Sequence, residues 1–297
     1  MRVTTNLTPD VLAAIWQTQS REQTALEQLS TGKRVNAPAD DPLAAAQMVA
    51  NQDQSSRTDQ YLQNIDTLNA QMQTASTALS SVVQALTQAV TLGVQGSTGT
   101  TAAATRDQIA QNLQGIQAQL VQLANTAVNG SYLFGGTATT AAPYALDSAN
   151  PSGVTYNGNS GANKVQIAEG LSVQTSVPGD QIFQNSSGDA FGALQQLITA
   201  LQSGSASATQ AATSQARTAL ASVTGQQIFY SNAVSQLNST HTFLNQEKVN
   251  LTTEATSLVG ADMAKVATDL TQAQTAYSAT LAAAAKILPT SLLDYLK

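Results

Sequence analysis

Apolar residues recur at alternating steps of three and four over long parts of the chain. The first series is uninterrupted and comprises Ile65, Leu68, Met72, Ala75, Leu79, Val82, Leu86 and Ala89. This spacing is typical of a long helix that packs lengthwise on other helices. It predicts a helix over about residues 42–91, a turn at GVQGSTG (93–99) and a second helix over about 109–127, which together form a hairpin.

A second pair of helical series occupies the C-terminal third of the chain. Apolar residues follow the same steps from Tyr230 to Leu258 and again from Val266 to Leu288. A short amphipathic segment over 189–201 precedes them, and SGSASAT (203–209) is typical of a loop. The sequence therefore predicts helices from both ends of the chain that flank the segment between them.

That middle segment changes to a period of two. Val165 and Ile167 alternate with their neighbours, and the alternation continues over 171–177. Turns are predicted at three places: Asn157-Gly158, Glu169-Gly170 and Pro178-Gly179-Asp180. These features predict a small β insertion over roughly 136–187. Because about 50 residues bury little surface alone, we expect the insertion to rest on the helical body.

The predicted fold class is mainly α with a small β insertion, as a long antiparallel helical-bundle rod with paired terminal helices. A chain of 297 residues is long enough for about two domains. The predicted parts are an N-terminal assembly helix (1–40), a helical hairpin of the rod (41–135), a small β outer domain (136–187), returning helices (188–254) and a C-terminal assembly helix (255–297) that pairs with 1–40.

One stretch between helix-forming segments, STGKRVNAPADDP (30–42), concentrates glycine, proline and charge. The spacing from Ser30 to Lys33 resembles an acyl-enzyme motif, but the companion motifs of that class are absent. Gly32-Lys33 resembles the end of a phosphate-binding loop, but Glu27 stands where that motif requires glycine. Neither chemical interpretation of the stretch is supported.

A structural corner accounts for the same residues. Gly32 suits the left-handed conformation that ends a helix, Asp41 can cap the next helix, and Pro42 suits its first position. Three charged side chains of the corner then remain to pair with neighbouring chains: Lys33, Arg34 and Asp40.

Composition and charge argue against several classes of function. Only 10% of residues are charged, the net charge is −6, and nothing ionises between Asp66 and Arg106. An uncharged polar helix face suits an element that packs among copies of itself. The chain has no basic stripe with interleaved aromatics, which argues against nucleic-acid binding. It has no cysteine, no apolar run near the ~18 residues of a membrane span and no signal-peptide core in MRVTTNLTPD.

The single histidine, His241, lies in a helical seam. A metal site needs several converging ligands, and no second histidine exists. A polar seam residue that helps to fix helix register is the favoured interpretation, and Lys248 fits it as well. We therefore predict no enzyme activity and no catalytic, cofactor or metal site.

Surplus apolar surface at both ends of the chain is the strongest functional signal. One thin helical rod cannot bury these side chains against itself, and exposed apolar helix faces mark binding sites. We expect both ends to be loosely ordered in the free subunit and to fold as paired helices on assembly; the alternative is that they close an ordinary core. The predicted assembly interface, with the corner residues included, is Val11, Leu12, Ile15, Trp16, Lys33, Arg34, Asp40, Tyr277, Leu281, Leu288, Leu292 and Leu293.

The order of several motifs resembles the flagellin-like axial proteins of the bacterial flagellum. The resemblance covers nearly the whole chain and is carried by RVTTN (2–6), the corner with PADDP (38–42), YLFGG (132–136), VTYNGNSG through VPGDQIF (154–183) and the ending DLTQAQTAYSATL with KILPTSLLDYL. Flagellins usually carry a corner closer to SSGLRINSAKDDAAG and end in a run such as LLR. The corner and ending of this chain therefore resemble the hook–filament junction branch of the family. Residues 137–153 match nothing specific.

The resemblance implies terminal helices that pair around the central channel of a tube, and a projecting β domain. The implied function is a structural adaptor that joins the hook side, through the first hook-associated protein, to the flagellin filament. It also implies self-association, a cytoplasmic export chaperone and export through the flagellar type III apparatus, with no nucleic acid, membrane or cofactor. The alternatives are a minor flagellin, or an exported binding module or adhesin on the same scaffold. The β insertion shows no aromatic cluster in sequence that would serve the last of these.

Overall fold

The structure is a computed structural model that describes the backbone of residues 7–295 and the side chains of residues 9–286. Its fold is mainly α with a small β insertion, as the periodicities predict. The helices are α1 Leu7–Thr31, α2 Pro42–Gly96, α3 Ala103–Ala124, α4 Gly179–Phe183, α5 Ala190–Ser203, α6 Ala206–Val259 and α7 Met263–Tyr295.

The strands form short antiparallel pairs between α3 and α5. In the described part of the chain these pairs are β1 Ala127–Val128 with β2 Ser131–Tyr132, β3 Tyr144–Leu146 with β4 Val154–Tyr156, β5 Lys164–Ala168 with β6 Leu171–Gln174, and β7 Gln184–Asn185 with β8 Gly188–Asp189. The predicted turn at 169–170 joins β5 to β6, and Gly170 has a φ of 71° that favours glycine there.

The chain divides into two compact units. The terminal unit comprises Met1–Arg57 and Glu247–Lys297, and the central unit comprises Thr58–Gln246. Helices α2 and α6 contribute residues to both units. The domain boundaries predicted from the sequence stay a prediction.

The central unit has a large apolar core. The α2 series from Ile65 to Ala89 is buried along its whole length, and Leu79, Val82 and Leu86 are 0% exposed. Buried residues from the other helices and from the β insertion join the same core, among them Leu113, Leu120, Phe183, Leu197 and Tyr230. The β insertion therefore shares one core with the helices of the central unit.

This core also explains the hydropathy of α2. Among the described residues, α2 contains one 18-residue window with a mean hydropathy of 1.2, long and apolar enough by composition to cross a membrane. The core helix of a soluble protein has the same composition, and the apolar seam of α2 lies inside the central unit. Part of this hydropathy therefore comes from side chains that are buried in the core of the central unit.

Two loops predicted from composition are shorter in the structure. The predicted turn at 93–99 begins late because α2 continues to Gly96; a Cβ at Gly93 would press against Leu197 of α5, so glycine permits close packing inside the helix. The predicted loop at 203–209 is mostly the start of α6. Gly204, with a φ of 74°, ends α5, and the Ser205 hydroxyl accepts a hydrogen bond from the Ala208 N–H, so both helix ends are capped within two residues.

Amide side chains fasten the β insertion to the helices. The Asn125 amide donates to the Tyr144 carbonyl at 2.8 Å and accepts from the Tyr144 N–H at 2.9 Å. Gln117 of α3 donates to the Ser152 carbonyl at 3.2 Å. These bonds position residues 137–153, the segment whose sequence resembles nothing specific.

Two buried tyrosines of the central unit give a matched test of this packing. The Tyr144 hydroxyl has no hydrogen-bond partner among the described residues, whereas the Tyr230 hydroxyl accepts a bond from the Val177 N–H at 3.0 Å. Burial raises the pKa of Tyr230 to about 12.

We expect Tyr144→Phe to leave the free energy of unfolding unchanged or to raise it by up to about 1 kcal/mol. Tyr230→Phe should lower it by about 1–3 kcal/mol, because the Val177 N–H then stays buried without a partner. Denaturant unfolding measures both, and a loss of equal size in the two variants would contradict this assignment.

Candidate assembly interface

The terminal unit is built on an antiparallel pair, α1 against α7. Asp10, Val11 and Ala14 lie beside Ala279, Thr280 and Ala283, while residues 18–28 lie beside 269–276. On α7 the buried or half-buried side chains recur at heptad steps: Val266, Leu270, Ala273, Tyr277, Thr280 and Ala284. Alanine, threonine and polar side chains line much of this contact, and its larger apolar members Ile15, Leu270 and Tyr277 are only half-buried.

The apolar side chains of the terminal unit are distributed opposite to those of an ordinary core. Among its described side chains, the buried apolar ones are no larger than valine: Ala25, Val35, Ala44, Val259, Val266, Ala273 and Ala284. The exposed apolar side chains are mostly larger: Leu12, Trp16, Leu26, Leu29, Leu43, Val49, Val249, Met263 and Leu281. The other large ones are half-buried: Ile15, Met48, Leu251, Leu258, Leu270 and Tyr277. Exposed apolar side chains mark an interaction site where they form a patch, and Leu12 and Trp16, one turn apart on α1, lie on one face of that helix.

The predicted interface residues fall into three groups. Leu12, Trp16 and Leu281 are exposed, and Trp16 is 71% exposed. Val11, Ile15 and Tyr277 are half-buried. Leu288, Leu292 and Leu293 belong to the α7 backbone, but their side chains lie outside the described residues.

Sequence reasoning missed the most exposed apolar residues near the corner. Leu43 and Val49 are each 71% exposed at the start of α2, whose other side packs on α6 through Asn51 and Gln54. A helical wheel of PLAAAQMVA would place Leu43, Ala46 and Ala50 on one face. Nothing in the local pattern shows that this face lacks a covering element.

The corner that joins α1 to α2 is clipped to the corner that joins α6 to α7. Gly32, at a φ of 68°, ends α1, and its carbonyl accepts from the Ala261 N–H at 3.0 Å. The Arg34 N–H donates to the Val259 carbonyl at 2.7 Å. Val35, Ala44 and Val259 form a small buried cluster under this clip. The clip fixes the corner that the sequence predicts to be structural.

The charged side chains of the corner are largely used inside the chain. Arg34 donates to the Asp41 carboxylate at 3.2 Å and to the Leu258 carbonyl at 3.0 Å. Asp40 accepts from the N–H groups of Asn36 and Ala37. This differs from the expectation that Arg34 and Asp40 are left over for neighbouring chains. Lys33 is exposed, and a role for these residues in an assembly interface stays a prediction.

Both corner carboxylates are stabilised in their charged form. Hydrogen bonds from the N–H of Ala37, and then of Asn36, hold the pKa of Asp40 below its usual value of 3.8. The Ala44 N–H, and then the Arg34 guanidinium, lower the pKa of Asp41 in the same way. Asp41 therefore caps α2 as an ionised group, as the sequence predicts.

Replacing Asp40 and Asp41 together with asparagine is expected to flatten the acid dependence of unfolding. Both folded-state pKa values lie below 3.8, so the contribution of these groups is fully present above that pH and is lost as the pH falls below it. Melting followed by circular dichroism between about pH 5 and pH 2.5 measures the effect. The natural chain should lose melting temperature faster than the variant, and parallel curves would contradict the assignment.

The described residues contain no group of three or more histidine, cysteine, aspartate or glutamate side chains that could hold a metal ion. His241 of α6 instead faces α2, with its Nε2 at 3.4 Å from an Asp66 carboxylate oxygen and its Nδ1 at 3.0 Å from the Asn245 amide. Its position between two helices of the central unit fits the predicted role in helix register.

Two family models match the helical parts of the chain. The bacterial flagellin N-terminal helical region matches residues 4–139, and the bacterial flagellin C-terminal helical region matches residues 211–296. Together the two matched regions include both predicted assembly helices and leave out most of the β insertion.

Curated relatives give a more specific likeness. The chain is 33% identical over 165 residues to flagellar hook-associated protein 3 of Escherichia coli strain K12, over 55% of this chain and 50% of the relative. It is 32% identical over 192 residues to the protein of the same name from Salmonella typhimurium, over 64% of this chain and 59% of the relative. The matched part thus spans about half the length of these relatives.

A solved structure shares the fold. The flagellar junction protein FlgL of Legionella pneumophila superimposes with a TM-score of 0.61 over 72% of this chain and 100% of the solved chain, at 15% identity. At that identity the likeness concerns the arrangement of helices and strands.

Proposed function

The chain belongs to the bacterial flagellin family, and from that premise we propose that it is a structural subunit of the flagellar hook–filament junction. In this role it polymerises between the hook side and the flagellin filament and transmits force between them. The role requires binding surfaces and no chemical transformation.

The distribution of apolar side chains in the terminal unit is the observation that carries this proposal. Trp16, Leu43 and Val49 are each 71% exposed, whereas the buried apolar side chains described there are only alanine and valine. A subunit that stayed alone would leave this surface in water, at a cost of roughly 25 cal/mol for each Å². Neighbouring subunits in a polymer would cover it.

The relatives favour a junction subunit over a filament subunit. Both curated relatives are named flagellar hook-associated protein 3, and the Legionella protein is named a flagellar junction protein. The STGKRVNAPADDP corner and the SLLDYLK ending also differ from the flagellin pattern and resemble the junction branch of the family. A minor flagellin is therefore the less favoured member of the same class.

The β insertion gives the adhesin alternative no support. It does contribute to an aromatic cluster, contrary to the impression from sequence, with ring centroids 4.9 Å apart for Tyr144 and Tyr156 and 5.6 Å apart for Tyr144 and Phe183. The rings belong to the core: Tyr144 and Phe183 are buried, and the Tyr156 hydroxyl donates to the Phe134 carbonyl. A buried cluster offers no stacking face to a glycan or other ligand.

The proposed partners follow from the junction role. They are further copies of this chain, the first hook-associated protein on the hook side and flagellin on the filament side. We also propose export through the flagellar type III apparatus, with a cytoplasmic chaperone that covers the apolar C-terminal helix beforehand. The exposed Met263 and Leu281 of α7 fit such a need.

Immunogold labelling of intact flagella with antibody to this chain tests the proposal. One short gold band between hook and filament is the expected result. Gold along the whole filament would make the chain a flagellin, and the departures at the corner and the ending would then carry no functional meaning.

A further inference from the structure

A second exposed apolar surface lies on the central unit. On α6, Ile228 is 56% exposed and Phe243 is 64% exposed, and Phe229 is also exposed. Phe229 and Phe243 are two heptads apart, about 21 Å along the helix, and therefore lie on one face. Between them on that face lie exposed side chains that are either small or uncharged amides. We call this surface the α6 ridge: Ile228, Phe229, Asn232, Gln236, Ser239 and Phe243.

The ridge is held in place from beneath. Phe229 packs edge to face on the buried Tyr230, with ring centroids 5.7 Å apart. The Tyr230 hydroxyl is in turn bonded to the Val177 N–H inside the core. The aromatic side chain is thus positioned before any partner arrives, which lowers the entropy cost of binding.

An open, uncharged groove lies elsewhere on the same unit. It has a volume of about 560 Å³ and runs between α2 and the end of α3. Its α2 wall spans Ala70 to Ser81, about 17 Å, which is close to the length of the ridge. Its walls are mostly small side chains; we call it the α2 groove: Ala70, Thr74, Thr77, Ser81, Leu123 and Thr126.

Both surfaces lack formal charge. No Asp, Glu, Lys or Arg occurs between Asp66 and Arg106, between Asp107 and Asp147, or between Arg217 and Glu247. Ordinary protein surfaces carry roughly 25% charged residues, which would lose hydration on burial against either surface. The ridge and the groove are thus both uncharged and similar in length, and the ridge carries large side chains where the groove carries mostly small ones.

We propose that the α6 ridge of one subunit docks into the α2 groove of a neighbouring copy of this chain. Ridge and groove are separate surfaces, so every copy carries both halves of the contact. In the proposed arrangement the contact is heterologous and continues from copy to copy around a ring or along a helix. The inference rests on the proposed function, since it names the lateral contact of the same polymer. It concerns the central unit alone and needs no contribution from the terminal helices.

Engineered cysteines test the contact cleanly because the chain contains no cysteine. Gln236 is exposed at the midpoint of the ridge between its two phenylalanines, and Thr77 is near the middle of the groove, so the two lie close whichever way the helices run. The double variant Gln236→Cys with Thr77→Cys would replace the natural chain in cells. Their flagella would be isolated and treated with a short thiol cross-linker.

A ladder of cross-linked dimers, trimers and larger species is the expected result for the double variant, because every copy carries both halves of the contact. A mixture of the two single variants should stop at the dimer. Thr242→Cys, exposed on α6 but off the ridge, paired with Thr77→Cys should give no ladder. A ladder from that control pair, or none from the Gln236 pair, would overturn the inference.

A charge placed on the ridge gives a second readout. Phe243→Asp should reduce the amount of this chain in isolated flagella at least about tenfold, because a carboxylate would be buried in an uncharged contact. Thr242→Asp adds the same charge one residue away and should leave the amount unchanged. Equal effects of the two substitutions would contradict a specific ridge contact.

The labelling experiment separates this inference from the proposed function. A gold band at the junction without a ladder would retain the junction role and reject the ridge–groove contact. A ladder together with gold along the whole filament would support the contact and reject the junction role.

Discussion

Shortening Leu79 to alanine is expected to lower the free energy of unfolding of the central unit by about 3–5 kcal/mol. Leu79 is 0% exposed and belongs to the core in which Met72, Val82 and Leu86 are also fully buried. Removing its methyl groups forfeits their burial and leaves a cavity that long packed helices cannot close. Since a domain is stable by only about 5–15 kcal/mol, the loss is a large part of the total. Denaturant unfolding of the purified chain measures it.

Leu43→Ala is the matched control, because it deletes the same atoms from the same helix. Leu43 is 71% exposed, so the expected change in the free energy of unfolding is below about 0.5 kcal/mol. Assembly, in contrast, should suffer in the Leu43 variant. Equal losses of stability in the two variants would mean that Leu43 is covered in the free chain and would remove the main support for the assembly surface.

The helical part of the fold could be predicted because one physical constraint governs it. A helix that is buried along its length must repeat apolar residues at steps of three and four, and the series from Ile65 to Ala89 does so without a gap. The corner could be predicted for a similar reason. Gly32, Asp41 and Pro42 have few alternative uses at a helix boundary, and the structure places Gly32 and Asp41 as expected.

The predictions that differ from the structure concern tertiary contacts. Gly93 lies inside α2 although glycine is typical of a turn, and glycine suits the position because a Cβ there would lie 2.5 Å from the Thr213 hydroxyl. Residues 137–153 are held by hydrogen bonds from Asn125 and Gln117, which lie outside the segment. The sequence of the segment itself therefore gives no signal of its conformation. Contacts between residues that are distant in the sequence cannot be predicted from local sequence patterns.

The assembly surface could be predicted only in part, and the reason is geometric. Periodicity identifies an apolar stripe but does not say whether another element covers it. Leu79 and Leu43 are both leucines of α2, and only the fold shows that the first is enclosed while the second is 71% exposed. The excess of apolar side chains near the N-terminus is visible in the sequence. Leu12 and Trp16 lie on the same helix as an apolar seam but outside that seam. The exposed residues at the start of α2 give no such signal.

Replacing Trp16 with aspartate is expected to abolish assembly while the free subunit stays folded. Trp16 is the only tryptophan of the chain and is 71% exposed on α1. Tryptophan is enriched among the residues that dominate binding energy, and an aspartate would in addition bury a charge in the contact. We expect assembly to weaken by at least about a hundredfold, equivalent to about 2.8 kcal/mol. Leu281→Asp on the partner helix α7 should act in the same direction.

Gln17→Asp, exposed on the same helix but about 100° around its axis from Trp16, is the control for the added charge and should assemble normally. Circular dichroism of the free variants distinguishes the two possible functions of the apolar ends. If Trp16→Asp keeps its helix content and melting temperature but no longer enters flagella, the side chain serves other subunits. If it loses helix content or cooperative melting, the side chain belongs to the subunit's own core. The exposed apolar side chains of the terminal unit would then not mark an interface. The first outcome is expected because Trp16 is exposed, whereas the α1 residues that lie beside α7, such as Ala14, Thr18 and Ala25, stay in place when it is changed.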